Sequence, residues 1–157
     1  MTDSPLTQLS AAERQRIDDA FEKVPFARLL GIEAQDLQRG RATLAIDLRP
    51  ELLQNHGVVH GGVTASLIDT ASAFAILTML EPDQSTTTVD LTIHYLRPMK
   101  HGRITAIARV LRAGRRVIVA SVEVLDPGEK LAATAITTYL RLTGQAEITE
   151  KAALSST

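Results

Sequence analysis

In the stretch Gln54-Asn55-His56-Gly57-Val58-Val59-His60-Gly61-Gly62-Val63-Thr64-Ala65-Ser66-Leu67-Ile68-Asp69, a histidine and two glycines stand at the mouth of an apolar helical run that carries one carboxylate. A helix mouth offers unpaired backbone N–H groups and the positive end of the helix dipole, which suit an anion or an oxyanion formed during a reaction. Glycine at positions 61 and 62 lets a substrate approach those N–H groups, because no side chain stands in the way. Asp69 is the second chemical signal. A lone acid in an apolar helix is costly to bury, which points to a use for it. Asp69 lies eight residues beyond Gly61, about 12 Å along a helix that rises ~1.5 Å per residue. One chain therefore does not bring the two groups onto one ligand. A two-fold dimer that sets the helix mouth of one subunit beside Asp69 of the other resolves the distance, and two-fold assemblies are the commonest kind.

The rest of the chain must position these groups. Its 157 residues suffice for one domain with its own core. The expected division is a single domain over 1–157, with an N-terminal helix at about 10–24, a core at about 26–142 and a polar tail at 143–157. The absence of cysteine excludes disulfides, thiolate metal sites and cysteine nucleophiles. A net charge of -1 makes no electrostatic case for nucleic acid or an anionic membrane surface. Met1 to Ser10 is polar and lacks the basic flank and apolar core of a secretory signal, so a cytoplasmic location is expected. The apolar run Val63 to Leu80 is interrupted by Asp69 and by several Ser and Thr, and reads as a buried helix rather than a membrane span.

Ser10-Ala11-Ala12-Glu13 has the form of a capping box, and Ile17, Ala20, Phe21 and Val24 follow at helical spacing up to Pro25. Phe26 to Leu30 reads as a short turn and Gly31 to Leu37 as a strand. Arg41 to Leu48 alternates Ala42, Leu44, Ile46 and Leu48 with more polar neighbours, as a half-buried strand does. Pro50 to Val59 reads as a loop leading into the Gly61 helix, which Glu81-Pro82-Asp83 stops. Four strands are expected next. Val89, Leu91, Ile93 and Tyr95 alternate with Thr88, Asp90, Thr92 and His94 up to Arg97-Pro98. Ile104, Ala106, Ala108 and Val110 alternate up to Ala113-Gly114, and Arg116 to Val124 and Leu131 to Leu142 are joined through the turn Asp126-Pro127-Gly128. The order predicts an α+β domain in which an antiparallel sheet wraps one central helix.

Gln54, Gly57, His60-Gly61-Gly62 and Asp69 together resemble the hotdog-fold acyl-CoA thioesterases, in the branch of the phenylacetyl-CoA (PaaI-like) and 4-hydroxybenzoyl-CoA thioesterases. The resemblance extends over about 110 residues, Gly31 to Leu142, and includes the Arg97-Pro98 strand end and the Ala113-Gly114-Arg115-Arg116 turn. It implies hydrolysis of an aromatic or medium-chain acyl-CoA without a metal or redox cofactor, in homodimers often paired into homotetramers. Asp69 matches the family's carboxylate, acting as nucleophile on the thioester carbonyl or as general base for water. Gly61 matches the backbone donor to the oxyanion, and His60 the histidine that orients the loop. Gln54, or Asn55 if the register shifts by one, matches the amide that orients water or the carboxylate. Gly62 and Ala73 stand where the substrate would lie, and Arg97, Lys100, Arg115 and Arg116 are placed for coenzyme phosphates.

The chain also departs from the pattern. Ala73 stands where several relatives carry Ser or Thr one turn after the carboxylate, and the adjacent Ser72 is expected on another helix face. Thr88 falls where other relatives place a hydroxyl on the next strand, and is assigned as partner of water or of the carboxylate. Competing readings exist for each residue. Asp69 could be a core acid bonded to a hydroxyl, and His60 a helix-start residue. His56 and His60 make a poor metal pair, with Gly57 between them and no second acid nearby. Gln54 and Thr88 could be ordinary polar loop and strand residues, and the arginines solvated charge. His94 and His101 are read as facing solvent or a strand neighbour. Two other functions fit the fold. A hydratase or dehydratase would need a proton carrier five residues after Asp69, where Phe74 stands. A non-catalytic acyl-CoA-binding protein would not need an intact Asp69 and Gln54.

Overall fold

The computed structural model describes residues 8–143. Helix α1 (Ala11–Glu22) opens with the expected capping box: the Ser10 side chain accepts the Glu13 N–H at 3.3 Å, and the Glu13 carboxylate accepts the Ser10 N–H at 2.8 Å. Residues 26–30 form a helix, α2 (Pro25–Leu30), and not the expected turn. Proline at the first helical position and Gly31 at φ 75 after the last supply its start and stop, signals that hold even for so short a segment.

Strands β1 (Ile32–Gln38) and β2 (Arg41–Asp47) pair as a hairpin before the central helix α3 (Gly61–Leu77). Strands β3 (Gln84–Tyr95), β4 (Arg103–Ala113), β5 (Val117–Leu125) and β6 (Leu131–Thr143) follow. All six join one antiparallel sheet in the order β1-β2-β4-β5-β6-β3, so β1 and β3 are its edges. The sheet wraps α3 as expected. Val63, Leu67, Ile68, Ala71, Phe74 and Ala75 of the helix are buried together with Leu44, Ile46, Ile104, Ala106, Ala108, Val122, Val124, Ala133 and Ala135 of the sheet. The small alanines on the sheet let the helix pack close against it. Helix α1 closes the open side of α3, with Phe21 packed edge-on to Phe74 at 4.9 Å between ring centroids.

Two element limits differ from expectation, each for a tertiary reason. Helix α3 ends at Leu77, before Glu81-Pro82, because the Thr78 hydroxyl donates to the Ala75 carbonyl at 2.6 Å and accepts the Gly40 N–H at 2.7 Å. Strand β3 begins at Gln84 rather than Thr88, since the polar run 84–88 finds its ladder partners in residues 139–143 of β6. The alternation along β3 is also broken by a bulge between Thr88 and Asp90. Val89 is consequently 58% exposed, where simple alternation groups it with the half-buried Leu91 face. Of the tail expected at 143–157, only Thr143 falls among the described residues, as the last residue of β6.

Candidate active site

The candidate residues gather at two places along α3. The first is its mouth. His60 is the N-cap residue, with φ -64 and ψ 133, and its Nδ1 accepts the Gly62 N–H at 2.9 Å. Its carbonyl accepts the Val63 N–H, also at 2.9 Å. Gly62 is thus not an open donor, contrary to the sequence expectation, whereas the Gly61 N–H has no partner among the described residues. The same choice explains the second glycine: a Cβ on Gly62 would stand 3.0 Å from His60 Nδ1. The Tyr95 hydroxyl donates to the Gly61 carbonyl at 3.0 Å and lays its ring beside the helix mouth.

The loop before the helix is tied down residue by residue. Gln54 N–H donates to the Val58 carbonyl at 2.8 Å, Gly57 N–H to the Gln54 carbonyl at 2.9 Å, and His60 N–H to the Leu52 carbonyl at 2.9 Å. Gly57 makes the turn at φ 70, in the left-handed region that glycine enters freely. Gln54 and Gly61 thereby line one cleft of about 320 Å³ with Thr64, Tyr95, Leu96 and Arg97. Asn55 is exposed in the turn and is not part of that lining.

The second place is Asp69, half-buried and absent from the lining of that cleft. Its Oδ1 accepts hydrogen bonds from the Thr88 hydroxyl at 2.9 Å and the Tyr139 hydroxyl at 2.6 Å. Tyr139 also donates to the Asp69 backbone carbonyl at 2.8 Å. The bulge at Val89 is what turns Thr88 inward, to the same face as Leu91, Ile93 and Tyr95. Burial of Tyr139, then its bond to Asp69 and that group's charge, push the phenol well above its usual range, with Thr88 and Ser72 opposing. Tyr139 therefore stays a neutral donor. Ser72, expected on another face, is wholly buried beside this phenol, because three residues past Asp69 is the same side of a helix. Ala73 packs against the cluster of Ile76, Ile118 and Tyr139 and lies outside the cleft.

Tyr139 was missed from the sequence. Its alternation with Ala133, Ala135 and Thr137 places it on the inner face of β6, and a buried tyrosine hydroxyl usually finds a partner. Naming that partner required the sheet order. The basic residues divide between hollows. Arg97 lines the Gly61 cleft, and Lys100 borders a separate hollow with His101 and Pro127. Arg115, Arg116 and Arg141 surround a third of about 260 Å³, at the end of the sheet where Arg141 pairs with Thr86. His94 and His101 are exposed. Among the described residues, no three His, Asp or Glu side chains are grouped to hold a metal, and no helix is long and apolar enough to cross a membrane.

The family model of the thioesterase superfamily matches residues 56–133. A medium/long-chain acyl-CoA thioesterase, YigI of Salmonella typhimurium, is 33% identical over 132 residues, covering 74% of this chain and 85% of YigI. The chain belongs to the thioesterase superfamily. It is a hydrolase of thioester bonds, and its sheet wrapped on one helix is the hotdog fold of this family's structures. The thioesterase superimposes on the Escherichia coli PaaI protein with a TM-score of 0.81 at 28% identity, covering 87% of this chain and 98% of PaaI. A thioesterase family protein of Silicibacter pomeroyi gives a TM-score of 0.79 at 29% identity, covering 84% of this thioesterase and 99% of that chain.

Proposed function

We propose that this thioesterase hydrolyses an aromatic or medium-chain acyl-CoA to the free acid and CoA, in a site completed by two subunits. The observation that carries the proposal is the unpaired Gly61 N–H beside Gln54 in the cleft. The thioester carbonyl oxygen accepts that N–H at the positive end of α3, where the oxyanion forms. Asp69 of the other subunit takes a proton from water as the oxygen of water adds to the carbonyl carbon. Alternatively, its oxygen adds directly to the carbonyl carbon and the adduct expels the CoA thiolate, giving a mixed anhydride; water then opens the anhydride, regenerating the Asp69 carboxylate and releasing the acid, and the thiolate takes up a proton. In the first route the tetrahedral adduct collapses, the C–S bond breaks, and the CoA sulfur takes the proton from Asp69. Gln54 orients the attacking water, His60 holds the loop, and Thr88 holds the carboxylate. No step calls on a metal or redox cofactor.

The dimer is supported by the edge strand. β3 pairs on one side only and exposes Val89 and Tyr95, so a second copy added antiparallel to β3 would continue the sheet. That pairing runs the two α3 helices in opposite directions and sets each Gly61 toward the partner's Asp69. It also carries the Arg115–Arg116 turn toward the opposite cleft, where with Arg97 it meets the coenzyme phosphates. Ile136, exposed on the outer face of β6, lies off that seam and suits the pairing of dimers into tetramers. The substrate class rests on the named acyl-CoA preference of YigI and on the likeness to PaaI. The hydratase alternative is weakened by Phe74, buried against Phe21 with no proton to move.

The test is thiol release from purified protein across acyl-CoA esters of varied chain length and ring type. Release from at least one class is expected, with Asp69→Ala lowering kcat by about a hundredfold or more. No release from any ester would sink the activity, and full activity of Asp69→Ala would sink the role of the carboxylate.

A further inference from the structure

We infer that Tyr139 is a positioning residue which, with Thr88, occupies Oδ1 of Asp69 and leaves Oδ2 as the oxygen that meets water or the thioester. The inference rests on the proposed role of Asp69 and adds to it which oxygen reacts and what holds it. A carboxylate on a helix turns about two side-chain torsions, and an oxygen must stand within a few tenths of an ångström of its target to react well. Here the phenol donates at once to Oδ1 at 2.6 Å and to the carbonyl of the same residue at 2.8 Å, folding the side chain back onto its own helix turn. Thr88 reaches the same Oδ1 from β3 at 2.9 Å. Oδ2 has no hydrogen-bond partner among the described residues.

Two hydroxyls from two strands, β3 and β6, thus converge on one oxygen. Thr88 and Tyr139 are direct ladder partners, so the sheet itself sets their spacing. Tyr139 is 1% exposed, packed with Ile76, Leu80 and Ile118, and its ring has no room to swing away. Ser72, wholly buried, sets its hydroxyl beside the phenol and closes the polar cluster from within the helix. The phenol remains protonated through the pH range in which the enzyme would work, so the donor is never lost to ionisation.

The variant Tyr139→Phe keeps the ring and removes only the donor. Its kcat is expected to fall about tenfold to a hundredfold, the range a hydrogen bond to a charged group commands, with KM unchanged within about twofold because the cleft is untouched. Thr88→Val should lower kcat as well. Its effect combined with Tyr139→Phe should depart from the product of the two, since both act on one oxygen. A folded Tyr139→Phe protein with wild-type kcat, measured beside an inactive Asp69→Asn, overturns the positioning role and leaves the catalytic carboxylate standing. Asp69→Asn hydrolysing at the wild-type rate overturns both.

Discussion

His60 spends its Nδ1 on Gly62, and that single bond decides which of two adjacent glycine N–H groups is open. Nδ1 is thus the accepting nitrogen of this ring. Replacing His60 by Ala removes the cap, at a cost of about 1 kcal/mol, and leaves two competing donors at the helix mouth. His60→Asn restores a good capping acceptor. Denaturant unfolding is expected to show His60→Ala less stable than both wild type and His60→Asn, with hydrolysis lost in the same order. Equal stability of the three proteins would contradict the cap. At this scale the helix mouth at His60-Gly61 and the Thr88–Asp69 contact were legible in the sequence, because each is tied to a local spacing or a strand neighbour of the helix. Tyr139 was not. It stands 70 residues from Asp69, and only the β6–β3 pairing makes them neighbours.

Among the elements, β3 shows how a backbone irregularity serves the site. A strand of strict alternation cannot face both Thr88 and Leu91 toward the helix, because they differ by an odd number of residues. The bulge at Val89 absorbs the extra residue and lets the hydroxyl and the apolar run share one face. Deleting Val89 removes the extra residue and restores strict alternation, and Thr88 and Leu91, then two residues apart, both keep the inner face. The deletion variant is expected to keep its sheet content by circular dichroism and a kcat near that of wild type, well above that of Thr88→Val. A kcat as low as that of Thr88→Val would mean that the bulge does more than bring Thr88 to the inner face. The same bulge explains why the strand itself was predicted while its burial pattern was not. Alternation was visible in the residues, but a shift of phase within one strand is set by the partner strand.

At the scale of the whole molecule, α3 carries at one end the Gly61 N–H, unpaired among the described residues, and Asp69 two turns on, outside the lining of the cleft at the helix mouth. The proposed two-fold assembly therefore makes a sharp prediction. Gly61→Pro removes the N–H at a helical position where proline is tolerated, and Asp69→Ala removes the acid. Each alone is expected to be inactive. Hybrid dimers of the two hold one intact site out of two, so refolded mixtures should recover up to about half of wild-type activity per hybrid. Heterodimers verified by mass that recover nothing would rule out the shared site.

The sequence by itself determined the α+β order, the central helix, the residues at its mouth and its lone acid, because these follow from periodicity, capping and short-range spacing. Family membership was legible there too, through a motif confined to one loop and one helix. The tertiary structure decided the rest: which glycine N–H stays free, which hydroxyls hold Asp69, why Ser72 rather than Ala73 lies beside them, and how the basic residues divide among three hollows. The free glycine turns on how the His60 side chain folds back on its own helix mouth, and the partners of Asp69 and the division of the basic residues depend on contacts between segments far apart in the chain. Such contacts arise from strand order and register, and a local pattern of residue types carries neither.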